Sequence, residues 1–271
     1  MDPPHHTRRC LRFVGLFALL TAGILSARKR GEEPDVKTII QRSVAASEKD
    51  FQAAPQYNYK ERDRTGSETK TNAVTILEGS PYERLIAING EDLPAAQAAE
   101  ELKKQQHAEA ERRAESSDQR KRRIAKYERE RARDHEMMSQ LSEAFDFKLA
   151  GKGKVRGFNV WNLKATPRPG YRPPNMQSQV LRGMQGELWI DCASYRWVKV
   201  SANVIRPVSI VGFLARVEPG TQFEVEKSPV DKDIWQVTHF VMKSRAKVLF
   251  LVRRNASEDV SFYDFERVQS K

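Results

Sequence analysis

Cysteine and histidine are scarce in this 271-residue chain, and their placement excludes most familiar chemistry. Cys10 precedes an apolar leader and Cys192 stands alone beyond it, so no internal disulfide can staple a mature domain. Cys192 reads as a small buried strand residue. Past the leader, His107, His135 and His239 are too widely spaced to form a Cys/His cluster. His239 falls in a strand, where a structurally satisfied imidazole is the ordinary role. No Gly-x-Ser-x-Gly elbow occurs. Asp191 has no second carboxylate at a telling spacing. Gly151-Lys-Gly-Lys-Val-Arg-Gly157 has the wrong spacing for a phosphate loop and runs into a strand, not a helix, so it reads as a hairpin turn. No catalytic residue, cofactor or metal is implied, and the chain is read as a non-enzyme.

What is present begins with a secretory leader. Arg8, Arg9 and Arg12 precede the apolar run Phe13–Leu25, and Ser26-Ala27 supplies small residues at a cleavage point. The run is short for a bilayer core of ~30 Å, which favours a cleaved signal peptide over residues 1–27. Leu25 fits the small-x-small rule poorly, so an uncleaved anchor is the alternative. Such a leader would direct the mature chain across a membrane.

The formal charge of +11 suggests nucleic acid until its distribution is examined. Residues 28–93 carry 11 basic and 12 acidic side chains, and residues 94–143 carry 12 and 11. Residues 144–271 carry 21 and 12, so the excess lies on the C-terminal half. It is spread over strand edges and turns without interleaved stacking aromatics, so no nucleic acid is expected. A solvated basic surface, with some attraction to anionic head groups, is the reading that remains.

Pro34-Asp35 opens a helix whose stripe is Val36, Ile39, Ile40, Val44 and Phe51, ending near Pro55. Strands follow at Tyr57–Lys60, Thr71–Leu77 and Tyr82–Ile88, the last turning at Asn89-Gly90. Residues 94–143 are rich in Ala, Glu, Lys, Arg and Gln, and Ser116-Ser117-Asp118 divides them into a charged helical hairpin. It has so few large apolar residues that the sheet is expected to fold without it. Pro167–Pro174 is a rigid loop, and 175–182 allows a short helix. Alternating apolar and polar residues then mark strands at Gly186–Asp191, Arg196–Val204, Thr221–Glu226, Asp233–Met242 and Lys247–Val252. Residues 28–271 fit one domain.

Two segments carry a resemblance. Tyr82-Glu-Arg-Leu-Ile-Ala-Ile-Asn-Gly-Glu-Asp-Leu93 before a charged helix is one. The other is Gly186-Glu-Leu-Trp-Ile-Asp191, with the Gly220-Thr221 hairpin and the Trp235 strand. Together they resemble the LolA/LolB-like lipoprotein-sorting superfamily of the bacterial envelope. The resemblance implies an α+β fold: a curved antiparallel sheet, an unclosed half-barrel, with covering helices and here a charged helical-hairpin insertion. It also implies a carrier of lipid or lipoprotein acyl chains.

Such a carrier needs an apolar trough, since each buried methylene contributes about 0.8 kcal/mol. Candidate wall residues of one strand parity are Trp161, Leu163, Leu188, Ile190, Val198, Val200, Phe223, Val225, Trp235, Val237, Leu249 and Leu251. Ile40 and Val44 of the first helix would form the lid. Core and cavity wall share this signature. The expected partners are lipid or lipoprotein acyl chains and, secondarily, envelope membrane proteins, with the protein a monomer. The competing reading is an envelope interaction or stress-sensing module of the same fold with no cargo.

Overall fold

A computed structural model describes residues 33–211, 215–248 and 252–268. The proposed leader, residues 1–27, therefore lies outside the described residues. Helix α1 (Val36–Ala53) opens on Asp35, whose carboxylate accepts the Thr38 amide at 2.7 Å. A 3-10 turn then leads into three antiparallel strands, β1 (Tyr57–Thr65), β2 (Glu68–Leu77) and β3 (Ser80–Ile88). Asn89 and Gly90, both at positive φ, reverse the chain into the two-residue β4 (Glu91–Asp92).

The charged stretch forms α2 (Ala95–Ala114), α3 (Ser117–Ser139) and the single turn α4 (Leu141–Ala144). Ser116 and Gln119 make a reciprocal capping box between α2 and α3. β5 (Phe145–Val155), β6 (Phe158–Pro167), β7 (Met184–Asp191) and β8 (Trp197–Val204) follow, with a 3-10 helix at Gln177–Gly183 before β7. The chain continues through β9 (Val208–Val211), β10 (Ala215–Val217), β11 (Gln222–Asp231), β12 (Ile234–Val248) and β13 (Val252–Arg267). β12 and β13 pair antiparallel with Val248 opposite Val252, so Lys247–Val252 is not the single strand that its apolar run suggests.

Among the described residues thirteen strands join one antiparallel sheet, in the order β4-β3-β2-β1-β13-β12-β11-β8-β7-β6-β5, with β10 pairing β12 and β9 beside the main path. β4 and β5 end this order and do not pair, so the sheet is not closed into a barrel. The fold is α+β.

Helix α1 lies across the sheet and buries Ile39 and Ile40 against Trp161, Leu163, Leu188, Ile190 and Trp197. One carboxylate anchors its C-terminal end. Asp50 Oδ1 accepts from Arg196 Nε and from the Trp235 amide, each at 3.1 Å, and Oδ2 accepts from Lys227 Nζ at 3.2 Å. Asp50 is 2% exposed. Burial lowers the Lys227 pKa below that of a free lysine, and the nearby carboxylate opposes the shift.

The α2–α3 hairpin does not float free. Arg112 donates to the carbonyls of Leu77, Ser80 and Pro81, and Arg123 donates to the Glu78 carbonyl and to Ser80 Oγ. Arg131 donates to the Phe51 carbonyl while its guanidinium lies over the Phe51 ring. His135 stacks on that ring with centroids 4.0 Å apart. The hairpin is thus docked chiefly by guanidinium groups on backbone carbonyls, a mode that a search for apolar side chains does not detect.

Asp50→Ala is expected to cost about 3–5 kcal/mol in a urea titration, because it leaves the buried Arg196 and the largely covered Lys227 without their carboxylate. Lys70→Ala, which breaks the exposed pair with Glu68, should change stability by at most about 1 kcal/mol in the same urea titration. A second expectation concerns Glu61 on β1, whose pKa is pushed up to about 7 by burial, then by Glu83, Asp63 and Glu258. A carboxyl with a raised folded pKa binds more protons folded than unfolded, so stability falls as pH rises from about 4.5 to 7. Glu61→Gln should flatten that fall in thermal midpoints measured across the window.

Candidate functional site

Two cross-strand rows form the floor of an apolar site. The first runs Leu163–Leu188–Val200–Val225–Phe240 through β6, β7, β8, β11 and β12. The second, one step along each strand, runs Phe147–Ala165–Gly186–Ala202–Phe223 from β5 to β11. Directly opposed residues share a sheet face, so each row presents one continuous strip. In the second row three small residues stand between two phenylalanines. The missing side-chain volume leaves a cavity of about 140 Å³, lined by apolar residues apart from Gln185, Glu187 and Ser201, which expose no polar atom to it.

The cavity is roofed by Leu141 of α4 and by Val180 and Leu181 of the 3-10 helix, with Phe145 and Met184 at its sides. Gly186 is required by its neighbour as well as by the void. A Cβ there would stand 2.4 Å from the Ser201 carbonyl oxygen, so β8 can approach β7 only at a glycine.

The residues expected from sequence to form one wall are divided among several places. Leu188, Val200, Phe223 and Val225 line the cavity. Trp161, Leu163 and Ile190 sit beneath Ile39 and Ile40 of α1, with Val44 packed at the margin. Leu163 and Ile190 are 0% exposed, so under α1 the space is filled.

Val198 and Trp235 belong to another cluster, with Val160, against which Phe158 and Trp189 pack. For Val198 the cause is a register shift. Trp189 pairs with Lys199 but Ile190 pairs with Trp197, which leaves Val198 as an extra residue on β8. A bulge of one residue reverses strand parity, so Trp197 takes the place beside Ile190 that alternation assigns to Val198. Val237 pairs with Lys227 and lines neither space. Leu249 and Leu251 lie outside the described residues. Sequence alternation missed Ala165, Gly186, Ala202 and Phe147; the signal that could have found them is small residues aligned across neighbouring strands.

Among the described residues no group of three or more His, Cys, Asp or Glu side chains could hold a metal ion, and no helix is long and apolar enough to cross a membrane. His239 is 2.9 Å from the Asp259 carboxylate and Cys192 is partly buried.

These features define an α+β protein built on one open antiparallel sheet, with an apolar cavity between sheet and helices. The chain is similar to a LolA superfamily protein from Nitrosomonas europaea, at 8% identity over 88% of this chain and 96% of that one, with a TM-score of 0.33. It is similar to a Vibrio parahaemolyticus domain described as an outer membrane lipoprotein-sorting protein, at 12% identity over 84% and 92%, with a TM-score of 0.32. A third likeness is to the Pseudomonas aeruginosa MucA/MucB complex, at 10% identity over 88% and 100%, with a TM-score of 0.23. No protein-family model and no curated protein matches the chain. At such scores functional inference rests on the cavity itself.

Void and packed core respond oppositely to added volume. Ala202→Leu should keep or raise the thermal midpoint, because the new side chain enters empty space. In a filled core the same change would cost about 1–3 kcal/mol.

Proposed function

We propose that this chain is a non-enzymatic binder or carrier of acyl chains in the bacterial envelope, exported by its leader to the periplasm. The observation that carries the reading is the apolar cavity over Ala165, Gly186 and Ala202, walled by Phe147, Leu188, Val200, Phe223, Val225 and Phe240. An empty apolar cavity is open to hydrocarbon, since a void of about 150 Å³ lined by aliphatic and aromatic residues stays dry and takes up benzene.

Magnitude then separates the resting form from the loaded one. Pockets that enclose larger ligands run to roughly 300–1,000 Å³. A space of about 140 Å³ holds only a short length of hydrocarbon. Loading a long chain therefore requires the roof to lift. The elements proposed to move are α4 and the 3-10 helix, which are short, while α1 is held by Asp50. Burial of about 0.8 kcal/mol per methylene supplies the driving force.

The second reading, an envelope interaction module without cargo, is favoured by one feature. The α2–α3 hairpin presents long charged faces laced with i,i+3 and i,i+4 pairs, such as Lys104 with Glu101 and Arg131 with Glu128. Such faces suit a protein partner as well as solvent.

A fluorescent fatty-acid probe distinguishes the two. The carrier should bind it with affinity rising with chain length, and Val225→Asp should weaken binding at least tenfold while the domain still melts cooperatively. Absence of binding at every chain length would leave the interaction module as the function.

A further inference from the structure

The 3-10 helix that roofs the cavity also forms one side of a second, open space. A cleft of about 690 Å³ is lined by Met176, Gln179, Arg182, Gly183, Arg206, Pro207, Val208 and Ser209. Val180, Leu181 and Met184 line the apolar cavity, while Gln179, Arg182 and Gly183 line the cleft. One short helix therefore stands between hydrocarbon space and a basic cleft.

The chemistry of the cleft is amphipathic. Two arginines line it, and no lining residue carries a carboxylate. Arg206 donates to the Arg182 carbonyl at 3.0 Å, which ties the Arg206 guanidinium to the end of the 3-10 helix, and neither arginine makes an ion pair among the described residues. Large apolar side chains are left exposed here as well. Met176 in the cleft is 51% exposed, and Ile205, next to Arg206, is 38% exposed. The loop is seated tightly on the helix end: the Ile205 amide donates to the Gly183 carbonyl at 2.8 Å, and a Cβ on Gly183 would stand 2.5 Å from the Arg206 carbonyl oxygen.

We infer that the cleft binds the anionic head of the amphiphile whose chain enters the cavity, with Arg182 and Arg206 as the head-group ligands. The inference rests on the acyl-binding reading and narrows it to ligands with a phosphate or carboxylate head. A planar guanidinium pair offers several N–H donors to such oxyanions. Lifting the 3-10 helix would join cleft and cavity, so that head and chain are taken up together.

The test compares dodecyl phosphate with dodecylphosphocholine, both below micelle concentration, by calorimetry on the wild-type chain. The phosphate should bind about tenfold tighter, and the difference should shrink as salt is raised. R182Q/R206Q should bring the two affinities together without weakening dodecylphosphocholine, and R182K/R206K should retain part of the preference. Equal wild-type affinities would overturn the head-group site and leave acyl binding standing. Binding of neither ligand would overturn both. Inorganic phosphate binding as tightly as dodecyl phosphate would identify a free-anion site instead, against the inference. Should the Gln variant fail to fold, the wild-type comparison and the Lys variant still decide.

Discussion

A single carboxylate holds the long helix to the sheet. Asp50 satisfies Arg196, Lys227 and the Trp235 amide at once, and its own backbone carbonyl accepts from Gln236 at 3.1 Å. Buried ion pairs seldom add much net stability, but they exclude alternative arrangements because a misplaced helix would leave charges unpaired. Here that selectivity sets which turn of α1 meets which strand. Once Asp50 is seated, Ile39 and Ile40 must fall on Trp161, Leu163 and Ile190, and that part of the sheet is closed. Beyond the helix, where the rows contain small residues, space remains on this face.

The apolar face is thus divided by function. Beneath α1 it is core, packed with fully buried side chains. Beneath α4 and the 3-10 helix it is a floor with a void. A sheet that curves without closing suits this division, because one helix can be fixed while a shorter element covers the remainder. The cleft with Arg182 and Arg206 shares that shorter element with the cavity, Val180 and Leu181 lining one space and Gln179 and Arg182 the other.

Much of the architecture was legible in the sequence. The Asp35 cap, the Asn89-Gly90 reversal and the alternation in β7 and β11 each follow from local chemistry, and each is where the periodicity puts it. The site was legible in part. Alternation assigns side chains to faces only while the register is unbroken, and the extra residue at Val198 breaks it, so Val198 leaves the face and Trp197 joins it. Sequence also emphasised large apolar residues, whereas the void is made by the small ones between them. Docking of the charged hairpin was illegible for a related reason. Arg112 and Arg123 act through carbonyls of the β2–β3 turn, and no residue pattern announces a backbone acceptor.

The pairing of β1 with β13 has a kinetic consequence. Tyr57 lies opposite Arg267 and Thr65 opposite Glu258, so one of the earliest strands is completed only by the last strand described. Contacts between residues so distant in sequence make loop closure costly and folding slow. Until β13 arrives, β1 has an unpaired edge and the N-terminal strands cannot join the rest of the sheet through it. A polypeptide emerging from a ribosome or a membrane pore would therefore leave β1 without this partner until β13 has emerged. Under the proposed export that delay would be useful, because translocation requires the unfolded form and this topology postpones folding.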